Sequence, residues 1–170
     1  RFVERAHYSR LTVDDSLSDA TLKTYLETLD GNRHYFLQSD IAYFARYKTT
    51  LDDSLRRGDM EPVFDIFRLY RPRAQQNIGY AMSLLDQEPD FALDEDYVFA
   101  REKLPWAATP AEMQDLWRKR VKNDALSLML ADKTWKETGD ILRKRYQRVL
   151  DRVNELDSDD VFETFMNSFA

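Results

Sequence analysis

The sequence predicts an all-α domain, an irregular bundle of about six to seven helices, and three observations support this fold class. Apolar residues recur at intervals of three and four along most of the chain, and no sustained alternation of β-branched residues is present. Residues that begin and end helices separate these periodic segments. The length of 170 residues, of which 43% are hydrophobic, suits a single domain spanning residues 1–170 with its own core.

The first two helices are expected on either side of a short corner. Ser18 is predicted to cap the helix DATLKTYLETLD, and Gly31 is predicted to end it in a left-handed conformation. Ser39 is predicted to cap a second helix, DIAYFARYKTTLDDSLRR, which Gly58 then ends.

The corner itself, LDGNRHYFLQSD at residues 29–40, has the composition of a site. It combines a glycine, a histidine, two adjacent aromatic residues and a Ser-Asp pair. A histidine at such a corner is more often partly buried and hydrogen-bonded to the main chain than catalytic or metal-binding. We therefore interpret His34 and its neighbours as structural.

A third helix is expected from about Asp59, with Pro62 tolerated in its first turn and Pro72 kinking or splitting it. The next segment, residues 88–108, has no steady period and is interpreted as an ordered connection. Its expected anchors are four aromatic residues: Phe91, Tyr97, Phe99 and Trp106.

The last three helices have the clearest boundaries. Capping boxes at Thr109-Pro-Ala-Glu112 and Thr134-Trp-Lys-Glu137 predict helices that run to about Leu130 and about Leu156. Ser158 is predicted to cap the final helix.

Several classes of site are excluded by the residue counts. The chain has no cysteine, which excludes disulfides and thiolate nucleophiles. Its four glycines are dispersed, although phosphate-binding loops, dinucleotide fingerprints and nucleophile elbows need clustered glycines. His7 and His34 lack the spacing of paired metal ligands on one helix. We therefore expect no catalytic residue, cofactor or metal site within this chain.

Two features are candidates for partner binding. Arg143, Lys144 and Arg148 belong to a basic face on one predicted helix, and Phe162, Phe165 and Phe169 belong to an apolar stripe on the last. A solvated face, an acidic partner and nucleic acid all remain open for the basic face. The nucleic-acid alternative would use the cations of residues 118–122 and 143–152, although the net charge of −6 disfavours it.

The quoted corner also carries a resemblance. His7-Tyr8, Val13-Asp14-Asp15, the segment YLETLD and the segment YFLQSDI together resemble the N-terminal region of tail-specific, or carboxy-terminal processing, proteases of Gram-negative bacteria. Further similar segments are LPW at residues 104–106, LWRKRVKND, KTWKETGDILRKRYQRV and DVFETFMNSFA, so that the resemblance extends over essentially the whole chain.

The resemblance implies a periplasmic endopeptidase that recognises exposed C-terminal tails through a PDZ domain and cleaves with a serine nucleophile and a lysine base. Both would lie beyond Ala170, and this chain is expected to be an excised N-terminal domain. Its expected role is to scaffold, enclose substrate, mediate assembly or dock an adaptor. The implied partners are the PDZ and protease domains of the same chain, protein substrates, a tetratricopeptide-repeat lipoprotein adaptor and a second copy. No membrane span is expected.

Overall fold

A computed structural model describes residues 2–168, with side chains from Asp15 onward, and confirms the all-α class. Within these residues the chain forms seven α-helices and no strand. They are α1 (Phe2–Asp30), α2 (Gln38–Phe44), α3 (Leu51–Arg56), α4 (Glu61–Ser83), α5 (Pro110–Leu130), α6 (Trp135–Glu155) and α7 (Ser158–Ser168). Short 3₁₀ helices follow α2 at Ala45–Tyr47 and α4 at Leu84–Asp86.

Helix α4 organises the fold because its two halves contribute to two apolar clusters. Its first half packs with α1, α3 and α7 in what we call the N-terminal core, and its second half packs with α5 and α6 in the C-terminal core. The half-buried ring of Tyr70, near the middle of α4, packs against both. The two cores therefore share one continuous helix.

The start of the first helix differs from the prediction. Ser18 lies inside α1 and is fully buried, so it is not an N-cap. Its hydroxyl donates to the carboxylate of Asp52 and accepts the main-chain N–H of Asp52 at 2.9 Å. The serine thus joins α1 to α3, a long-range contact that local sequence signals do not reveal.

The left-handed conformation predicted for Gly31 is wrong, whereas Gly58, predicted to end the second helix, has a φ of 73°. After α1 the left-handed residue is Arg33 instead, with φ of 57°. Glycine is nevertheless required at position 31, because an added Cβ would lie 2.8 Å from the carbonyl oxygen of Glu27.

The predicted second helix is broken into α2, a 3₁₀ turn and α3. The break falls at Lys48-Thr49-Thr50, where the β-branched threonines have low helix propensity. Ser39 is not the cap either, since α2 begins at Gln38 and the carboxylate of Asp40 accepts the main-chain N–H of Leu37 at 2.9 Å.

Pro72 does not split α4, so that part of the prediction is wrong. The proline is exposed and the helix continues for eleven residues beyond it, to Ser83. Buried residues on both sides, Phe67 and Ala74 among them, hold the two halves in their cores. Tertiary packing therefore outweighs the hydrogen bond that the proline cannot donate.

Two predicted caps are confirmed and one is wrong. Thr109 and Thr134 each accept the main-chain N–H of the glutamate three residues later, both at 3.2 Å. At α7 the cap is Asp157 rather than Ser158, because its carboxylate accepts the N–H of Asp160 at 2.9 Å and the Asp160 carboxylate accepts its N–H in return.

The connection between α5 and the 3₁₀ turn after α4 is irregular, as predicted. Phe91, Tyr97 and Trp106 are partly buried along it. Phe99 is 69% exposed, so its prediction as an anchor is wrong. One of its contacts with the corner is a parallel bridge between Leu37 and Ala107.

Candidate functional site

The basic face of α6 is the first candidate site. An apolar stripe of Leu142, Tyr146 and Val153 is buried in the C-terminal core, which turns the opposite side of α6 to solvent. Three of the predicted partner-binding residues lie on that exposed side: Arg143, Lys144 and Arg148.

These three cations differ in how far their charge is compensated. The guanidinium of Arg143 lies 3.4 Å from the carboxylate of Asp86. Neither Lys144 nor Arg148 makes an ion pair with another residue of the described part of the chain. Of these three cations, Lys144 and Arg148 therefore keep a positive charge that no described residue compensates.

A shallow cleft of about 400 Å³ runs beside this face. Met82, Asp140, Arg143, Lys144 and Gln147 line it. It combines an apolar thioether with two cations and one carboxylate, which suits a protein surface better than a small charged ligand.

The other basic segment, residues 118–122, is mostly neutralised inside the fold. Arg118 donates two hydrogen bonds to Glu95, one of them at 2.9 Å, and Lys122 donates to Glu95 at 2.8 Å. These two cations lower the pKa of Glu95 to about 2. Lys119 pairs with Asp115 at 3.3 Å. Few cations of this segment remain to contact phosphates, which weakens the nucleic-acid alternative.

The fold buries one of the predicted apolar anchors on α7 and leaves another exposed. Phe165 is fully buried in the N-terminal core, where its ring contacts Tyr25 edge to face at 5.1 Å, so it is not available as a surface anchor. Phe162 is 45% exposed, and its neighbour on the same face, Met166, is 46% exposed. Phe169 lies outside the described residues.

The corner at residues 29–40 is the most polar part of the interior. Asp30 is buried, and its carboxylate accepts hydrogen bonds from the main-chain N–H groups of His34, Tyr35 and Phe36. The indole N–H of Trp106 donates to the same carboxylate at 3.1 Å. Burial raises the pKa of Asp30 to about 6, although all four hydrogen bonds favour the ionised form.

His34 is also buried, and its ring nitrogens contact side chains rather than the main chain that we predicted. Its Nδ1 lies 3.2 Å from the guanidinium of Arg120, and its Nε2 lies 3.1 Å from the hydroxyl of Tyr97. A guanidinium can only donate, so Nδ1 is the acceptor and Nε2 carries the proton. Burial, followed by the charges of Arg120 and Arg101, lowers the pKa of His34 to about 3.

This arrangement makes His34 a neutral structural residue near pH 7. Its carbonyl oxygen accepts the indole N–H of Trp117 at 2.7 Å and the amide of Asn77 at 3.2 Å. Both ring nitrogens are engaged, which leaves no lone pair for a metal. Among the described residues no group of three or more histidines and carboxylates could hold a metal ion.

A second buried carboxylate, Asp40, fixes the other end of the corner. Arg73 on α4 binds it with two parallel hydrogen bonds of 2.9 and 3.0 Å. Asp30 and Asp40 together attach the corner to the connection before α5 and to α4. The corner is therefore a rigid joint between the two cores, and the exposed surfaces are the places where a partner can bind.

Comparison with known proteins agrees with the resemblance in the sequence. The family model described as tail specific protease N-terminal domain matches residues 1–170. A tail-specific protease of Haemophilus influenzae is 38% identical over 167 residues, which covers 98% of this chain and 24% of the relative. This chain thus spans about a quarter of the length of the curated relative that it matches. The described part of the chain contains no helix long and apolar enough to cross a membrane. The chain belongs to the family of tail-specific protease N-terminal domains.

Proposed function

We propose that this chain is the non-catalytic helical domain of a periplasmic serine endopeptidase that degrades or processes proteins from their exposed C-terminal tails. The family match over residues 1–170 supports the proposal, together with the similarity to the tail-specific protease of Haemophilus influenzae. In this reading a PDZ domain and a serine and lysine dyad belong to other parts of the longer protein.

The placement of the serines supports a non-catalytic role for this domain. Ser18, which is fully buried, exchanges hydrogen bonds with Asp52 inside the fold. Within residues 15–168, no lysine amine lies within hydrogen-bonding distance of a serine hydroxyl, the contact that a lysine base needs. The polar residues of the interior instead hold helices together.

The proposed work of the domain is to present a rigid surface to other proteins. Lys144 and Arg148 are exposed on a helix fixed by its buried stripe, and Lys144 borders a shallow cleft. Such a surface serves docking of an adaptor with tetratricopeptide repeats, self-association, or contact with the PDZ and protease domains. Phe162 provides a nearby apolar anchor on α7 if the partner extends that far.

Charge reversal in the full-length protein tests this role. The double variant Lys144→Glu with Arg148→Glu is compared with Lys48→Glu with Lys103→Glu, which changes the same charge at two other exposed lysines. We expect the first variant alone to slow degradation of an unfolded protein or to change the sedimentation of the complex. Equal behaviour of the two variants in both measurements would remove the α6 face from the proposal.

A further inference from the structure

The connection between α4 and α5 contains a strand-like segment without a partner strand. From Asp94 to Val98 the chain continues without a turn or a bend. Exposure alternates along it, since Asp94, Asp96 and Val98 are exposed whereas Glu95 and Tyr97 are partly buried. This period of two is the side-chain pattern of a β-strand.

The inward-facing residues hold the segment against the rest of the domain. Glu95 binds Arg118 and Lys122 on α5, and the Tyr97 hydroxyl lies 3.1 Å from Nε2 of His34 in the corner. Just after the segment, Arg101 donates to the carbonyl oxygen of Asn32 at 3.2 Å. These contacts order the segment in the free protein. A partner that binds it therefore loses less free energy to conformational entropy.

The main chain of the same segment has no hydrogen-bond partner in the described structure. No main-chain N–H or C=O group of residues 94–100 bonds to another described residue, although those of Leu93 and Leu104 on either side do. A preordered row of main-chain donors and acceptors is what an added strand pairs with.

The outward-facing side chains define the chemistry of such a strand. Asp94 and Asp96 present two carboxylates on one side of the segment, and neither makes an ion pair with a described residue. Beyond them, Val98 is 49% exposed and Phe99 is 69% exposed. A complementary strand would carry basic residues opposite the two aspartates and apolar residues opposite Val98 and Phe99.

We propose that residues 94–99 bind an extended segment of another polypeptide by strand addition, and that this segment carries basic residues followed by apolar ones. The main-chain hydrogen bonds supply affinity, and the two aspartates and the apolar pair set direction and register. This surface lies on the connection before α5 and is separate from the basic face of α6.

Hydrogen exchange in the full-length protein tests the proposal. The probe is a ten-residue peptide that carries two lysines at alternate positions, followed by two valines, with threonine elsewhere, and its integrity is checked by mass spectrometry during the exchange period. We expect it to slow exchange of alternate amides within residues 94–99, those on the paired edge, by about tenfold or more, because these unpaired amides become hydrogen-bonded. A peptide of the same sequence with every amide N-methylated should give no slowing, because neither of its edges can donate a main-chain hydrogen bond.

Two substitutions at one position separate main-chain pairing from side-chain contact. Val98→Pro removes a main-chain N–H that no described residue uses, so the fold should tolerate it, while peptide protection should be lost. Val98→Ala keeps the N–H and should retain most of the protection. Circular dichroism checks that both variants remain folded.

Three results would overturn the proposal. They are protection at other sites only, equal protection by the N-methylated peptide, and protection of residues 94–99 before any peptide is added, which would assign the segment to an internal contact of the longer protein. Binding in this experiment requires no cleavage. Its failure would leave the proposed protease role standing, and failure of that role would leave the strand-addition result standing.

Discussion

The carboxylate of Asp30 accepts a hydrogen bond of 3.1 Å from the indole N–H of Trp106, although the two residues are 76 positions apart. This contact attaches the end of α1 to the connection before α5. Arg33 strengthens the attachment, because its guanidinium lies 4.1 Å from the centre of the Trp106 ring. One buried carboxylate thus fixes the joint between segments that enter different cores.

Replacement of Asp30 by asparagine should destabilise the domain by roughly 2–4 kcal/mol, because the amide group cannot accept all the N–H groups that now converge on two carboxylate oxygens. Asp96→Asn is the matched control, since Asp96 is exposed and its carboxylate makes no hydrogen bond with the described residues. Urea unfolding measures both free energies. Equal stability of the two variants would show that Asp30 does not hold the corner.

Asp30 should also make stability depend on pH. Burial raises its pKa from the ordinary value of 3.8 to about 6, so the folded state binds more protons between these values than the unfolded state does. Its contribution to the free energy of unfolding, up to about 3 kcal/mol, is complete below about pH 3.8 and is lost as the pH rises to about 6. The stability difference between wild type and Asp30→Asn should fall over this range, and a constant difference would contradict the assignment.

His34 should make the stability of the domain rise with pH, which is opposite to the effect of Asp30. Its pKa is lowered from the ordinary value of 6.5 to about 3, so the unfolded state binds more protons between these values. Its contribution is complete above about pH 6.5 and is lost as pH falls, by roughly 3–5 kcal/mol. The stability advantage of wild type over His34→Gln should therefore rise with pH in urea titrations. A pH-independent advantage would indicate that His34 is not buried as a neutral ring.

Pro72→Ala should stabilise the domain by about 1–3 kcal/mol, because residue 72 would then donate its N–H to the carbonyl of Arg68 within α4. Gly79→Ala in the same helix is the control. Its added Cβ meets no atom within 4 Å, so it should gain only about 0.5–1 kcal/mol from helix propensity. Thermal unfolding compares the stability of the two variants. A smaller gain in stability for Pro72→Ala than for Gly79→Ala would indicate that forming the hydrogen bond at residue 72 strains α4.

Two substitutions on α7 test how the fold divides the predicted apolar stripe. Phe165→Ala should cost about 3–5 kcal/mol, since the ring is fully buried against Tyr25. Phe162→Ala should cost less than about 1 kcal/mol, because that side chain is 45% exposed. Chemical unfolding of both variants provides the measurement. Similar costs would show that α7 is packed on a different face.

The sequence signals that proved accurate were local ones. Thr109 and Thr134 each cap a helix by accepting the N–H of the glutamate three residues later, although the predicted box is complete only at Thr134, because Glu112 binds the N–H of Ala108 instead. Gly58 ends α3 through its own backbone freedom. Ser18 is not the predicted cap and Pro72 does not split α4, because distant residues decide their environments. Asp52 engages the serine, and two separate cores hold the helix on either side of the proline.

The candidate surfaces were predicted only in part for the same reason. Helical spacing placed Arg143, Lys144 and Arg148 on an exposed face, but it could not distinguish Phe162 from Phe165, which depends on where α1 and α4 lie. The strand-like segment was interpreted only as a connection. Residues 94–98, Asp-Glu-Asp-Tyr-Val, show no alternation of polar with apolar residues, because the inward-facing position 95 is as acidic as its neighbours. The pattern appears only in the structure, where Glu95 binds Arg118 and Tyr97 contacts His34.

The most direct test of the central claim is cleavage of an unfolded protein that ends in an apolar C-terminal tail. The 170-residue chain is compared with the full-length protein under identical conditions, after contaminating proteases have been excluded. The account predicts that only the full-length protein cleaves the substrate. Cleavage by the 170-residue chain alone would contradict it and would place catalytic residues within this helical domain.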